Sequence, residues 1–255
     1  MVSDGQFRQY LRQISLPNMG ESVQCKLLSA NVLIVGCGGL GTAASIYLAG
    51  SGVGRLAIAD DDVVEISNLP RQVTYHATDV GRAKIDCLKA SLQRQNPDIG
   101  VRAINKKLSG DQLLLEISIA DIVLDCSDNL ATRHSINVFC KQSNTDLVSG
   151  AAIGWKGQLS VFPFSAPQDI ACYRCLYPFD EIKGSSRCSE SSVMGPVVGI
   201  IGLYQALETI KLLAGVHPQV EQQKPPTLKL FDGLNGQWQT LQIAREKTCS
   251  VCITN

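Results

Sequence analysis

A glycine-rich turn after an apolar run is the feature that most restricts the fold of this chain. Residues 33–45 read LIVGCGGLGTAAS, and four glycines fall within six positions: Gly36, Gly38, Gly39 and Gly41. The spacing fits G-x-G-x-x-G, the turn between the first strand and first helix of a nucleotide-binding sheet. In that turn Gly36 permits the tight bend, Gly38 lets the backbone approach a phosphate, and Gly41 allows close helix packing. The loop alone does not distinguish NAD from ATP.

Apolar strand patterns alternate with helical patterns after this turn. Strands are predicted at NVLIVG, RLAIAD, GVRAIN, DIVLDC and DLVSGAA, with helical spacing in GRAKIDCLKASLQRQN and ATRHSINVFCKQS. This alternation predicts an α/β fold with a Rossmann-like, mostly parallel sheet and helices on both faces. The later segments GQLSVFPF, TLKLFDG and QWQTLQIA are short and alternating, which predicts antiparallel strands that extend the sheet.

The pattern predicts one integrated unit over residues 1–255, without an internal repeat or a linker. We expect an N-terminal helical segment over 1–30 and a nucleotide-binding α/β core over 31–165. Residues 166–255 are expected to hold a crossover loop, a buried helix, the antiparallel strands and a zinc module. Two stretches rich in Pro, Gly, Ser and charge, 176–196 and 215–226, are predicted to be exposed loops.

Composition and charge exclude several classes of function. The 23 basic and 23 acidic side chains give a net charge of zero, so nucleic-acid binding is not predicted. The first residues lack the pattern of a secretory leader, and we expect a cytoplasmic protein. The most apolar stretch, VMGPVVGIIGLYQALETIKLLAG, is interrupted by Gln205, Glu208 and Lys211. Its continuous apolar part is shorter than the ~20 residues that span a bilayer, so we expect a buried helix and no membrane association.

An acidic residue ends the second predicted strand. Asp60 lies 19 positions after Gly41, where an acid binds a ribose hydroxyl in nucleotide-binding sheets. It supports an adenine nucleotide without separating NAD from ATP.

The charged residues that follow distinguish the two nucleotides. Asn68 and Arg71 come just after the acidic strand end, Lys84 starts the next helix, and Asp128 follows the fourth strand. The carboxyl ends of parallel strands face one crevice, so two cations and a carboxylate suited to Mg²⁺ are expected together. Nucleotidyl transfer builds charge on phosphates that Arg, Lys and Mg²⁺ stabilise, whereas hydride transfer gains little from them. Taken singly, Arg71 and Lys84 fit surface positions and Asp128 fits a helix cap.

Four cysteines form two C-x-x-C pairs, Cys172 with Cys175 and Cys249 with Cys252. Two such pairs in a reducing compartment are typical of a closed, structural Zn²⁺ site with four thiolates. A redox dithiol is the alternative, which the position of the second pair near the terminus disfavours. Cys188 differs, because it lies in a polar loop beside Arg187, where a thiolate is favoured. From the residues alone, Cys188 is either functional or an incidental surface cysteine.

Together these motifs resemble the ThiF/MoeB/HesA family of adenylyltransferases, which are related to ubiquitin-activating enzymes. The resemblance runs from LRQISLP to CSVC, and ADDD, GPVVG and LFDG are most similar to the ThiF branch of thiamine biosynthesis. The motifs that carry it are GCGGLGTAAS, ADDDVVEISNLPRQ, GRAK, VLDCSDN, CYRC, MGPVVGIIGLYQALETIKLLAG and CSVC.

The resemblance implies a reaction of ATP with a small ubiquitin-like sulfur carrier protein that ends in Gly-Gly. The carrier's terminal carboxylate attacks the α-phosphate, giving an acyl-adenylate and pyrophosphate, and sulfur is later transferred to make a thiocarboxylate. The carboxylate is already ionised at neutral pH, so catalysis rests on positioning and charge stabilisation. The chain has no rhodanese-like C-terminal domain, so a separate sulfur donor protein is expected.

The motif match also implies a role for individual residues. Asp60 is implied to bind the ribose, Asn68, Arg71 and Lys84 the phosphates, and Asp128 the Mg²⁺ ion. The glycine loop completes the ATP site.

Two further roles come from the resemblance. Arg12, in LRQIS, matches an arginine that family members lend to the ATP of the neighbouring subunit, which implies a homodimer. Cys188 falls where the family has a cysteine in its crossover loop, and in ThiF-type members that cysteine forms an acyl-disulfide with the carrier.

Departures from the family pattern leave alternatives open. Pro70 stands where relatives have Gln, and Tyr177 stands where the ThiF branch has Trp, which puts the branch in doubt. MoeB-type activation of the small subunit of molybdopterin synthase, or activation of a peptide, are therefore alternatives. More distant alternatives are an NAD-dependent oxidoreductase and a non-catalytic zinc scaffold. The retained Arg71, Lys84 and Asp128 disfavour the scaffold.

Overall fold

One mixed sheet of eight strands organises the computed structural model, which describes residues 1–166, 170–180 and 192–253. Each predicted apolar run forms a strand whose side chains alternate between the two faces. The strands are β1 (Asn31–Val35), β2 (Arg55–Ala59), β3 (Gly100–Ile104), β4 (Ile122–Asp125), β5 (Asp146–Ile153), β6 (Lys156–Phe162), β7 (Thr227–Asp232) and β8 (Gln237–Gln242).

The strand order is β3-β2-β1-β4-β5-β6-β7-β8. Strands β1 to β5 pair in parallel, and β6, β7 and β8 add on in antiparallel pairs. The chain winds outward from β1 in one direction to β3 and then returns to β4 on the other side. This reversal opens a crevice at the carboxyl ends of β1 and β4, where ligands bind in open α/β sheets.

Helices cover both faces of the sheet. The glycine turn leads into α3, and Pro196 in the first turn and Gly215 after the last (φ 75°) mark the ends of the longest helix, α8. The helices are α1 (Asp4–Ile14), α2 (Gly20–Ser29), α3 (Gly39–Gly50), α4 (Lys84–Gln95), α5 (Gly110–Ser118), α6 (Leu130–Gln142), α7 (Tyr173–Leu176), α8 (Gly195–Ala214) and α9 (Pro218–Glu221).

Two apolar layers form the core. On one face, α3, α4 and α8 pack on the strand residues that include Val32 and Ile34. On the other face, α5, α6 and the cysteine-bearing segments pack on residues that include Leu33 and Val35. The predicted α/β fold, with parallel strands extended by antiparallel ones, is confirmed.

The apolar segment predicted to be a buried helix is α8. By length and composition it would also fit a membrane span, but half of its apolar window is buried inside the protein. Gly202 lets it approach α3, since a Cβ there would lie 2.5 Å from the carbonyl oxygen of Leu40. The prediction of a core helix is therefore confirmed.

The segment 215–226 is not the exposed loop that its composition predicts. It contains α9, and His217 and Gln219 are buried. His217 is held inside because its Nε2 lies 2.9 Å from a carboxylate oxygen of the fully buried Glu208. The composition of the segment does not reveal this carboxylate partner, which lies on α8.

The Glu208 carboxylate accepts hydrogen bonds from three side chains inside the protein. Besides His217, Lys211 Nζ lies 2.6 Å and Lys229 Nζ 2.8 Å from its carboxylate oxygens. Burial by itself would raise the pKa of Glu208, but the hydrogen bonds from His217, Lys211 and Lys229 outweigh it and lower the pKa to about 2. The folded protein therefore holds this carboxylate ionised.

We expect this carboxylate to make the free energy of unfolding depend on pH. The stabilisation is fully present above the ordinary Glu pKa of 4.5 and is lost as the pH falls towards 2, because the unfolded chain then binds the proton first. The pKa difference corresponds to about 3 kcal/mol. Urea unfolding of the wild type and Glu208→Gln between pH 6 and pH 3 measures it. Equal pH slopes for the two proteins would contradict the assignment.

Candidate active site

A cavity of about 790 Å³ opens at the carboxyl ends of the parallel strands. Its walls come from the glycine turn, the ends of β2, β4 and β5, and the first turn of α8. The predicted site residues that line it are Gly36, Gly38, Gly39, Asp60, Asn68, Arg71, Lys84 and Asp128.

The glycine turn brings the start of α3 to the cavity. Gly36 has a φ of 98°, and a Cβ at this position would lie 2.6 Å from the carbonyl oxygen of Cys126. Gly41 lies in the first turn of α3, where a Cβ would lie 1.9 Å from the carbonyl oxygen of Gly36. Gly38 is the N-cap and has no side chain with which to bond the first amides of α3. Those amides and the helix dipole suit an anionic phosphate.

The turn that carries Arg71 is held between the N-termini of α3 and α8. A Cβ at Gly39 would lie 2.7 Å from the carbonyl oxygen of Arg71, and a Cβ at Gly195 would lie 2.4 Å from that of Pro70. The guanidinium of Arg71 donates to the carbonyl oxygen of Ser67 (2.9 Å). Glycine at both helix starts thus lets the Arg71 turn lie against the glycine turn.

Asn68 is buried in the same turn. Its Oδ1 accepts from the backbone N–H of Glu65 (3.2 Å), and its Nδ2 lies 3.5 Å from Ser67 Oγ. These local bonds fix the single-turn helix Ile66–Asn68 that leads to Arg71.

Asp60 joins the end of β2 to the glycine turn. Its carboxylate accepts from the backbone N–H groups of Cys37 (2.6 Å) and Asp62 (2.8 Å). Burial raises the pKa of Asp60, and the nearby Lys84 ammonium and these hydrogen bonds oppose that rise. These bonds thus hold the carboxylate in the wall of the cavity.

Lys84 is a buried cation rather than the surface helix residue that its position alone would suggest. Its side chain is 7% exposed, and Nζ lies 2.7 Å from a carboxylate oxygen of Asp62, which is itself 67% exposed. The buried end of this ion pair faces the cavity, so the ammonium is held at the site before any ligand binds.

Asp128 does not cap a helix. The N-cap of α6 is Asn129, whose Oδ1 accepts from the backbone N–H of Thr132 (3.0 Å). The exposed Asp128 carboxylate accepts a long hydrogen bond from Asn129 Nδ2 (3.3 Å). An exposed carboxylate is the kind of oxygen ligand that Mg²⁺ uses together with phosphate oxygens.

Two cysteines close to the glycine turn are not suited to act as nucleophiles. Cys37 and Cys126 are buried, and this burial raises the pKa of both thiols far above the ordinary range. Both are therefore neutral thiols at physiological pH. Cys188, the cysteine assigned to sulfur transfer, lies outside the described residues.

The four paired cysteines come together on the face of the sheet that α5 and α6 cover. The Sγ atom of Cys172 lies 4.0 Å from that of Cys175 and 3.7 Å from that of Cys249. The Sγ atoms of Cys175 and Cys252 are 3.6 Å apart. A tetrahedral Zn²⁺ site with Zn–S bonds of about 2.3 Å requires S···S distances of about 3.8 Å. All four Sγ atoms lie within 4.8 Å of one another, so the donor set fits a structural zinc ion.

Comparison with known proteins gives the family. Residues 10–251 match the ThiF family. The chain belongs to the ThiF family. The predicted family and the predicted enzyme class, an adenylyltransferase, are thereby confirmed.

Two relatives in Escherichia coli (strain K12) align with almost the whole chain. The sulfur carrier protein ThiS adenylyltransferase is 44% identical over 98% of this chain and 97% of the relative. The molybdopterin-synthase adenylyltransferase is 40% identical over 98% of each chain. The small difference in identity does not separate these two branches of the ThiF family.

Solved structures support the fold. Escherichia coli MccB, crystallised with ATP, is 23% identical and superposes with a TM-score of 0.79 over 98% of this chain and 75% of that chain. PaaA is 20% identical, with a TM-score of 0.80 over 96% and 85% of the two chains. At this level of identity the likeness concerns the fold alone.

Sequence reasoning missed some residues of this ThiF-family site. Lys106 and Lys107 line the cavity, and their position directly after β3 could have indicated it. Arg133 also lines the cavity and pairs with the buried Asp125 (3.3 Å). Arg12, by contrast, is exposed and is not among the described residues around the cavity.

Proposed function

We propose that this protein uses ATP to adenylylate the C-terminal carboxylate of a ubiquitin-like sulfur carrier protein that ends in Gly-Gly. The observation that carries the proposal is the meeting of Arg71, Lys84 and Asp128 around one cavity beside the glycine turn. Two cations and a free carboxylate next to helix amides are the groups that nucleotidyl transfer needs. The two curated relatives support the choice of a sulfur carrier, because their names specify adenylyltransferases of ThiS and of molybdopterin synthase.

The proposed reaction is an in-line substitution at the α-phosphorus of ATP. A carboxylate oxygen of the carrier forms a bond to phosphorus while the bond to the bridging oxygen of pyrophosphate breaks, and pyrophosphate leaves with the electron pair. The carboxylate is already ionised, so no general base is required. The chain then contributes position and charge stabilisation.

Each site residue has a proposed task. Asp60 binds the ribose, and the amides after Gly38 hold phosphate oxygens. Arg71 and Lys84 stabilise the charge that develops on the α-phosphate and on pyrophosphate, and Asn68 supports the same phosphates. When ATP binds, its phosphates would compete with Asp62 for the Lys84 ammonium.

Asp128 is the proposed protein ligand for Mg²⁺. The bound ion would supply neutralising charge to the leaving pyrophosphate. Zn²⁺ is assigned to the four-cysteine cluster, where it would have a structural role.

The carrier is proposed to be ThiS-like, and the pathway thiamine biosynthesis. The similarity of the ADDD, GPVVG and LFDG motifs to the ThiF branch is the reason for this choice, since identities of 44% and 40% support the two branches almost equally. Activation of the small subunit of molybdopterin synthase is the second candidate, and activation of a peptide is a third. We propose a cytoplasmic location for the enzyme.

A homodimer would complete the proposed site. Ile200, Leu203 and Leu207 leave an apolar stripe exposed on α8, and Leu11 is exposed on α1 next to Arg12. Exposed apolar patches are found at protein–protein contacts, and a second copy of the chain is the partner proposed here. In this arrangement Arg12 would act on the ATP of the partner subunit.

Sulfur transfer is assigned to Cys188 and to a separate donor protein. The donor protein would first pass a persulfide sulfur to the Cys188 thiol. The outer sulfur would then attack the acyl carbon of the carrier adenylate while the bond to AMP breaks, and AMP would leave with the electron pair, giving an acyl-disulfide. The role of Cys188 would therefore follow, and not precede, the release of pyrophosphate.

ATP–pyrophosphate exchange tests the proposed function. We expect exchange that requires Mg²⁺ and a carrier ending in Gly-Gly, and that a carrier lacking the last glycine does not support. Cys188→Ala is the control and is expected to retain exchange, because it acts later. NADH oxidation without exchange would instead indicate an oxidoreductase. A loss of exchange in Cys188→Ala as large as the loss in Asp128→Ala would contradict the assignment of Cys188 to the later sulfur transfer. Parallel assays with ThiS-like and molybdopterin-type carriers separate the first two candidates.

A further inference from the structure

A buried arginine joins β4 and β5 at the cavity, where β4 ends and β5 continues. The last paired residues of the two strands are Asp125 and Ser149. Arg133, on α6, is 6% exposed, and its Nη2 donates to the carbonyl oxygens of Ser127 and Gly150, at 2.9 Å from the latter. The guanidinium thus takes the place of the backbone ladder just beyond the last strand pair.

The other terminal nitrogen of Arg133 belongs to a buried polar cluster. Its Nη1 donates to Asp125 Oδ2 (3.3 Å) and to Ser149 Oγ (3.1 Å). The Ser149 hydroxyl itself donates to the same carboxylate oxygen (2.9 Å). The side chains of Arg133 and Asp125 are 7% and 1% exposed, so they form a buried ion pair. All four terminal N–H groups of the guanidinium therefore have acceptors inside the protein.

Arg133 lines the cavity, but these partners keep it from acting as a phosphate ligand. Turning the guanidinium towards a nucleotide would leave the buried Asp125 carboxylate unpaired, which is costly in a protein interior. Lys84 differs, because its partner Asp62 is 67% exposed and water can replace the ammonium there. Arg133 is therefore expected to stay on the strand ends when a ligand binds.

The cluster also fixes the backbone that leads to Asp128. Asp125 Oδ1 accepts from the backbone N–H (3.1 Å) and from the hydroxyl (2.6 Å) of Ser127. The carbonyl oxygen of Ser127 accepts from Arg133. On the other side of Asp128, Asn129 is the N-cap of α6. Asp128 thus lies between two anchored residues, while its own carboxylate is exposed.

We propose that Arg133 is a positioning residue that holds Asp128 where its carboxylate can bind Mg²⁺ together with the nucleotide phosphates. The inference rests on the proposed function, which takes the cavity to be the ATP site and Asp128 to be the Mg²⁺ ligand. Replacing residues that orient a metal ligand typically weakens metal binding by roughly 10- to 100-fold. Arg133 should therefore affect nucleotide binding only through the metal.

The experiment measures the affinity of the full chain for an ATP analogue with a methylene group between its α- and β-phosphorus atoms. Isothermal titrations with and without Mg²⁺, in buffer without a chelator, give the gain in affinity that Mg²⁺ supplies. In the wild type this gain is expected to be about tenfold. In Asp128→Ala the gain should disappear, because the carboxylate is lost.

Arg133→Lys is the test variant. It keeps the positive charge beside Asp125 but replaces the planar fork of the guanidinium by a single ammonium nitrogen. One nitrogen cannot serve the Asp125 carboxylate and the carbonyl oxygens of Ser127 and Gly150 together. The gain from Mg²⁺ is expected to fall to about twofold or less. Affinity without Mg²⁺ should stay within about twofold of the wild type, because the proposed phosphate ligands would remain.

Arg102→Lys is the matched control. Arg102, on β3, also forms two hydrogen bonds to a buried carboxylate, that of Glu116, and its Nη1 lies 2.8 Å from Oε1. Arg102 is not among the described residues that line the cavity. This variant therefore makes the same chemical change away from Asp128 and is expected to retain the tenfold gain.

The outcomes separate the inference from the function on which it rests. A full gain from Mg²⁺ in folded Arg133→Lys would overturn the inference, and so would an equal loss of affinity with and without Mg²⁺. Exchange by the wild type alongside either result would leave the proposed function intact. Absence of nucleotide binding and of exchange in the wild type would overturn both proposals.

Ser149→Ala tests the same cluster if Arg133→Lys does not fold. It removes the hydroxyl that is bonded to both Asp125 and Arg133 but leaves the ion pair in place. The loss of these hydrogen bonds is expected to lower the gain from Mg²⁺ about threefold. An unchanged gain in Ser149→Ala would count against the positioning role.

Discussion

Asp128→Ala is expected to lower carrier-dependent ATP–pyrophosphate exchange by about 10³-fold or more, since loss of a metal ligand at a developing pyrophosphate removes several kcal/mol of transition-state stabilisation. The loss is expected mainly in the rate at saturating ATP, because the proposed phosphate ligands, the glycine turn, Arg71 and Lys84, would remain. Initial rates over a range of ATP and Mg²⁺ concentrations measure it.

Asp111→Ala is the matched control for this variant. Asp111 is also an exposed aspartate in the chain, but it lies in the first turn of α5 and is not among the residues around the cavity. Exchange in this variant should equal that of the wild type. Wild-type exchange in Asp128→Ala would remove Asp128 from the reaction and would contradict its assignment to Mg²⁺.

Cys252→Ser is expected to abolish stoichiometric zinc binding and to reduce the free energy of unfolding by about 3–5 kcal/mol, a fraction of the 10–16 kcal/mol typical of complete thiolate sites. A serine hydroxyl is a poor ligand for Zn²⁺, and the tail that carries Cys249 would lose its attachment to the Cys172–Cys175 turn. Zinc content by atomic absorption and urea unfolding at fixed pH measure the two effects.

Cys25→Ser is the control for zinc binding. Cys25 lies on α2, is partly exposed and does not belong to the four-cysteine cluster. It should bind one equivalent of zinc and unfold as the wild type does. If Cys252→Ser still bound zinc with unchanged affinity, the four-thiolate assignment would be wrong.

The sequence predicted the elements whose signals are local. Apolar runs of strand length predicted the strands of the sheet, because a strand buried on both of its faces has an uninterrupted apolar sequence. The two C-x-x-C pairs predicted a cluster that the structure brings together, since thiolates at this spacing fit one metal ion. The crevice followed from the parallel topology, because the carboxyl ends of the strands share one edge.

Contacts between distant parts of the chain were not predictable in the same way. Nothing near Lys84 in the sequence reveals that its ammonium is buried against Asp62, 22 residues away. The ion pair of Arg133 with Asp125 and the burial of His217 by Glu208 likewise depend on tertiary packing. A helix cap at Asp128 was an open alternative, because Asp and Asn cap helices about equally well and only the backbone geometry selects Asn129.

The cysteine cluster joins two points of the chain that lie 77 residues apart, from Cys172 to Cys249. With a metal ion in place this part of the chain is a closed ring that contains the crossover segment, α8 and the last two strands. A single proteolytic cut anywhere in the ring would leave two fragments that still share the same ion. The continuity of the molecule would then be kept by coordination bonds, and chelation would be needed to separate the fragments.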